Sequence, residues 1–198
     1  MKRVLAFALA VSMAAAAQAQ RAGEKWTDRL ALSGDMRLRG EYSKTEDDSA
    51  RTRLRLRARL ALEATPIQTV KASIGLAAGS SDPRSPNQTF TDAFSKKPIW
   101  LDLACIEWKP AALAGLRLDG GKMRSQFLTV GNLIWDDDIR PEGLFAGYDR
   151  TFGSTDLLLG AGAYMIQERH NANQFLRDGQ IAATDDDTML YSGQTGLR

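Results

Sequence analysis

Two segments of the chain place apolar residues at every second position. In residues 30–42, LALSGDMRLRGEY, the even positions hold Leu30, Leu32, Gly34, Met36, Leu38, Gly40 and Tyr42, and the odd ones include Ser33, Asp35, Arg37, Arg39 and Glu41. Residues 51–64 repeat the pattern, with Thr52, Leu54, Leu56, Ala58, Leu60 and Leu62 against Arg51, Arg53, Arg55, Arg57, Arg59 and Glu63. Side chains alternate between faces only in an extended strand, so a period of two predicts strands here. A helix would spread the arginines around its whole circumference. Globular strands usually run to about 5–6 residues, whereas a tilted strand crossing a bilayer needs about 9–11. These two are long enough to cross.

Weaker alternation predicts six more strands, at 70–79, 99–108, 115–123, 142–151, 155–167 and 188–198. In 99–108 the parity slips near Ala104 and Cys105, where a bulge or an early strand end is expected. The connections alternate in length. Those at 43–50, 80–98, 124–141 and 168–187 are long, and those at 65–69, 109–114 and 152–154 are short. Outer-membrane barrels have short periplasmic turns and long extracellular loops, so this alternation is expected of them. No fixed repeat or low-complexity linker divides residues 20–198, which are expected to form a single β-barrel domain.

The first 19 residues read as a secretory signal. A basic head, Met1-Lys2-Arg3, precedes an apolar run to Ala16 and an Ala17-Gln18-Ala19 cleavage site. Without Lys2 and Arg3 the net charge falls from +2 to zero, which gives no case for a nucleic-acid partner. The mean hydropathy of −0.31 and a longest later apolar run of ten residues, Leu157–Ile166, exclude a spanning helix. Cys105 is the only cysteine, so an exported chain has no disulfide framework to stabilise it. A periplasmic protein or an outer-membrane barrel remains, and strand length and loop alternation favour the barrel.

Charge then sets barrel size. Arg37, Arg39, Arg51, Arg53, Arg55, Arg57 and Arg59 share one face whatever the hairpin register, together with Asp35, Glu41 and Glu63. An eight-stranded barrel has an interior that side chains just fill. Seven guanidinium groups with three carboxylates would bury unpaired charge there. The expectation is a wider, water-filled barrel of which this chain supplies about eight strands. Its arginine face is either a solvated, ion-paired wall without selectivity or a positive strip favouring anions. The acidic clusters Glu46–Asp48, Asp136–Asp138 and Asp185–Asp187 all fall in long connections and read as solvated charge. Calcium could bind such carboxylates, but they lack EF-hand spacing, so solvated charge is the stronger reading and no residue is assigned as a metal ligand. One inward-folded connection would bring Asp136–Asp138 against the arginines. Catalysis has little to work with: His170 is the only histidine and no nucleophile elbow occurs. Trp26, Tyr42, Trp100, Trp108, Trp135, Tyr148 and Tyr191 fall near predicted strand ends, as interfacial aromatics do.

Trp26 with LALSGDMRLRGEY, then RTRLRLRARLAL, SPNQTF (85–90), FSKKPIWLDLACIEWKP (94–110), GGKM (120–123) and LIWDDDIRPEGLF (133–145) follow one another in order. The ordered series resembles the N-terminal part of the bacterial putative porin family. Cys105 stands where that pattern carries an aromatic residue. The resemblance implies a considerably longer protein forming an outer-membrane β-barrel that passes small solutes. The expectation is therefore an all-β antiparallel transmembrane barrel, present in part, acting as a passive channel with no catalytic residue and no cofactor. The seven arginines would line its pore. Outer-membrane lipid and small hydrophilic or anionic solutes would be its partners, with a homotrimer left open. Two rivals stand beside it: a periplasmic lipocalin-like barrel with leucines lining a pocket, and an outer-membrane enzyme with a loop-borne site at His170.

Overall fold

The computed structural model describes residues 25–44, 49–91, 94–129, 136–168 and 187–198. The signal sequence, Glu46–Asp48, Trp135, His170 and Asp185–Asp186 lie outside the described residues.

Among the described residues a single 3-10 turn, Trp26–Arg29, leads into nine antiparallel strands. They are β1 Leu30–Ser43, β2 Arg51–Ile67, β3 Val70–Ala78, β4 Gln88–Thr89, β5 Ile99–Trp108, β6 Leu116–Lys122, β7 Glu142–Phe152, β8 Thr155–Gln167 and β9 Thr188–Leu197. Eight of them pair in chain order, β1-β2-β3-β5-β6-β7-β8-β9, so each joins its predecessor as a hairpin without any crossover. The sheet does not close: β1 and β9 are its two edges, as in a partial barrel.

All eight predicted strands are present, and there is one more. β3 ends opposite Arg59, which leaves the first half of β2 without a neighbour on that side. β4 fills part of the gap, pairing Thr89 with Arg55 and Gln88 with Leu56, while the Phe90 amide donates to the Leu54 carbonyl at 2.9 Å. A strand also runs further than its pattern. β2 continues through Pro66 to Ile67 by an irregularity in register, which shortens the turn before β3 to Gln68-Thr69. Proline is tolerated there because a bulge leaves its missing N–H unneeded.

The parity slip in β5 is real, but it sits at Asp102 rather than at Ala104 and Cys105. Gly75 pairs with Leu103 and Leu76 with Leu101, so Asp102 is the extra residue. The bulge re-aims the strand end. Trp100 falls opposite Ala77 on the arginine side, where its indole N–H donates to the Gly79 carbonyl at 2.9 Å. It therefore lies apart from Tyr42, Trp108, Tyr148 and Tyr191, which are on the other face, Tyr42 and Trp108 at strand ends and Tyr148 and Tyr191 further in.

Register fixes the two faces across the whole sheet. One carries Leu32, Met36, Leu38, Leu54, Leu60, Ile74, Ile106, Leu144, Leu159 and Leu197, with charged side chains only toward strand ends, at Lys122, Glu142 and Arg150. This face is open: Leu32 is 70%, Met36 79% and Leu38 67% exposed. The opposite face carries the charges, the small residues and the connections that fold back. Among the described residues the buried apolar side chains are Ala77, Leu103, Met123, Phe145 and Tyr164, all on or against that second face. Such a protein is inside-out relative to a water-soluble one, where leucines at this density would form the core.

Candidate functional site: the charged inner wall

The long connections all leave one end of the sheet and the short turns the other. The β1–β2 hairpin sets out its charges as a ladder: Ser43 opposite Arg51, Glu41 opposite Arg53, Arg39 opposite Arg55, Arg37 opposite Arg57, and Asp35 opposite Arg59. All seven predicted arginines thus share one face, opposite the open leucines. Glu41 is the hub of the outer part, pairing with Arg39, with Arg53 at 3.1 Å and with Arg55 at 3.4 Å. Asp35 accepts from Arg57 Nε at 2.8 Å. Arg37 Nη2 donates to the Asn87 side-chain oxygen at 2.9 Å, a neutral partner supplied by the connection that carries β4. Arg51 stands exposed at the long-loop end.

The third carboxylate comes from elsewhere. Asp138, in the connection between β6 and β7, pairs with Arg59. Glu63, which the sequence placed with the arginines, turns instead to Lys71 at 4.0 Å and Arg124 at 3.9 Å. Seven guanidinium groups therefore face Asp35, Glu41 and Asp138, an excess of four positive charges on this sector.

The β6–β7 connection lies against this face in its described parts, 123–129 and 136–141. Near its start, Phe127 packs edge-on against Phe145 at 5.4 Å between ring centroids, within the cluster of Met123, Phe145 and Tyr164. Leu128 is held by both halves of its peptide: the Gln194 side chain accepts from its N–H and donates to its carbonyl, each at 2.8 Å. Near the far end Asp138 meets Arg59, and Arg140 reaches Asp102 at 3.4 Å. One segment is thus tied to β9, β5 and β2. Glycines make room for its root. A Cβ on Gly160 would meet the Phe145 ring at 3.1 Å, so the aromatic cluster can lie flat against the backbone. Below it, toward the short turns, lies a cavity of about 620 Å³ bordered by Lys109, Arg117, Gln126, Phe127 and Gln194.

The inner wall changes character around the sheet. Next to the arginine sector, Glu63, Lys71, Glu107 and Lys109 form a balanced chain of ion pairs across β2, β3 and β5. Beyond Arg117 and Asp119 it becomes aromatic and glycine-rich on β7 to β9. In the connection outside the strands, hydrogen bonds from the Arg84 side chain and backbone hold the Asp82 carboxyl below its usual range. Sequence reasoning missed Gln194, Phe127 and Asn87. Gln194 had one available signal, a lone amide on the same face as Gly160 and Gly162.

Replacing Gln194 by leucine removes both bonds to Leu128 at little change in volume. Faster proteolytic cleavage within 123–141, with the rest of the chain protected, is the expected result. Unchanged cleavage would mean that the aromatic cluster alone holds the segment.

No group of three or more metal-ligating side chains occurs among the described residues. No helix of the described residues is long and apolar enough to cross a membrane, which says nothing of strands. A family model described as putative porin matches residues 42–198, so it covers Arg51 to Arg59 and the folded-in connection but leaves out Arg37 and Arg39. No curated protein matches the chain.

Proposed function

Because the chain belongs to the putative porin family, we propose that it forms an outer-membrane β-barrel wall through which small hydrophilic solutes diffuse, without carrying out a reaction. In this reading the exposed leucine face touches lipid, the arginine face lines water, and residues 136–141 narrow the passage beside Arg59. The excess of positive charge on the β1–β2 sector then favours anions. The observation that carries the reading is the division of faces. An apolar face without charge except toward strand ends suits acyl chains, and a face rich in guanidinium groups does not. A lipocalin-like barrel would place its leucines around a sheltered pocket, and here they are the open side chains. His170, on which an enzyme reading would depend, lies outside the described residues.

The test is direct. The protein should be recovered with outer membranes, migrate differently on gels before and after heating, and give stepwise conductance in planar bilayers. In a potassium chloride gradient its reversal potential should take the sign of anion preference. Recovery in the soluble periplasmic fraction, with no conductance, would overturn the reading.

A further inference from the structure

Two neighbouring rungs of the β1–β2 ladder set arginine against arginine: Arg39 opposite Arg55 and Arg37 opposite Arg57. Directly opposed side chains have Cβ atoms about 4.5–5.5 Å apart, and like charges so placed repel. A wall needing only a general positive charge gains nothing from stacking its repulsive pairs together near the middle of β1. Acids stand immediately on either side, Glu41 on one rung and Asp35 on the other. Those acids engage Arg39, Arg55 and Arg57, but among the described residues Arg37 has only the neutral Asn87 oxygen. The Nε–H groups of Arg37, Arg53, Arg55 and Arg59 are buried and find no acceptor among the described residues. The quartet thus offers forked donors converging from two strands, more positive charge than its carboxylates neutralise, and N–H groups still to be satisfied.

We propose that Arg37, Arg39, Arg55 and Arg57 form a binding site for a doubly charged oxyanion, with Arg37 as its principal donor. A guanidinium fork matches two oxygens of such an anion, which chloride cannot do. Two charges on one small ligand also answer two opposed pairs of cations better than one charge does. Asn87 positions Arg37 by holding one amino group and leaving the rest of the fork to the ligand. The inference deepens the channel reading and rests on it for location, because the quartet lies on the face assigned there to water.

The test uses the full chain in detergent and inorganic phosphate as probe, with sulfate and chloride alongside, titrated calorimetrically at low ionic strength. Phosphate and sulfate should bind, and chloride should bind at least about tenfold more weakly. Arg37→Gln leaves no carboxylate without its partner and should weaken phosphate binding about tenfold, the scale of one charged hydrogen bond. Arg37→Lys keeps the charge but loses the fork, and should fall between; it serves if the glutamine variant fails to fold. Bilayer recordings separate the two readings. Anion conductance with no phosphate binding and no slowing of chloride current would overturn the oxyanion site and leave the channel standing. Phosphate binding that Arg37 variants weaken, in a protein without conductance, would support the site and remove the channel. Wild-type phosphate affinity in both folded Arg37 variants would also overturn the proposal.

Discussion

On the proposed channel reading, Arg55→Glu combined with Arg57→Glu abolishes anion preference, and the reversal potential in a salt gradient moves to zero or beyond. The two changes lower the charge of the arginine sector by four, which equals the present excess over Asp35, Glu41 and Asp138. The introduced carboxylates face Arg39 and Arg37 directly across the hairpin, so opposite charges replace like charges and the strand pair is not weakened. Glu41 keeps Arg39 and Arg53, while Asp35 loses Arg57 and has Arg59 opposite it on the ladder as its nearest replacement. The effect should grow as salt is lowered, because the screening length rises from about 10 Å at 0.1 M to about 30 Å at 0.01 M. An unchanged reversal potential at the lower salt would remove these arginines from the ion path.

Leu38→Arg, on the other face of the same strand, destabilises the protein in lipid by about 2–4 kcal/mol, the scale measured for arginine on the lipid face of a barrel at the bilayer midplane. Leu38 stands near the middle of β1 opposite Leu56 and is 67% exposed. If water covered that face, an arginine there would change stability by about 0.5 kcal/mol at most, as surface substitutions do. Denaturant titrations of the vesicle-inserted protein measure the difference. A variant as stable as its parent would show that this face does not touch lipid. Positions 37 and 39 carry arginine naturally, so one residue of displacement along the chain reverses the sign of the same substitution.

That sensitivity to parity is why much of the fold was legible in the sequence. A period of two needs no tertiary information, and it located every long strand to within about three residues as well as the shared face of the seven arginines. The shortfalls have physical causes. β4 has two residues, too few for any period. The bulge could be sensed as a parity slip, but apolar residues from Leu103 to Ile106 mask its position, and only pairing with Gly75 and Leu76 assigns it to Asp102. Pro66 read as a turn because its missing donor matters only when the ladder there is regular. The contacts of the folded-in segment were the least legible. Leu128 and Gln194 are 66 residues apart, and neither residue type announces the other. Glu63 shares the arginine face as parity required, yet its partners come from β3 and the segment after β6, which parity cannot rank.

The unequal sectors of the inner wall have a consequence for anything that travels beside them. Cations crowd β1 and β2, whereas β7 to β9 present rings and bare backbone. On the channel reading proposed above, a solute with separated charges would feel a sideways field there as well as an axial one and be turned during transit, its negative end toward the first hairpin. Two isomers of equal size and net charge but different internal dipole would then cross at different speeds.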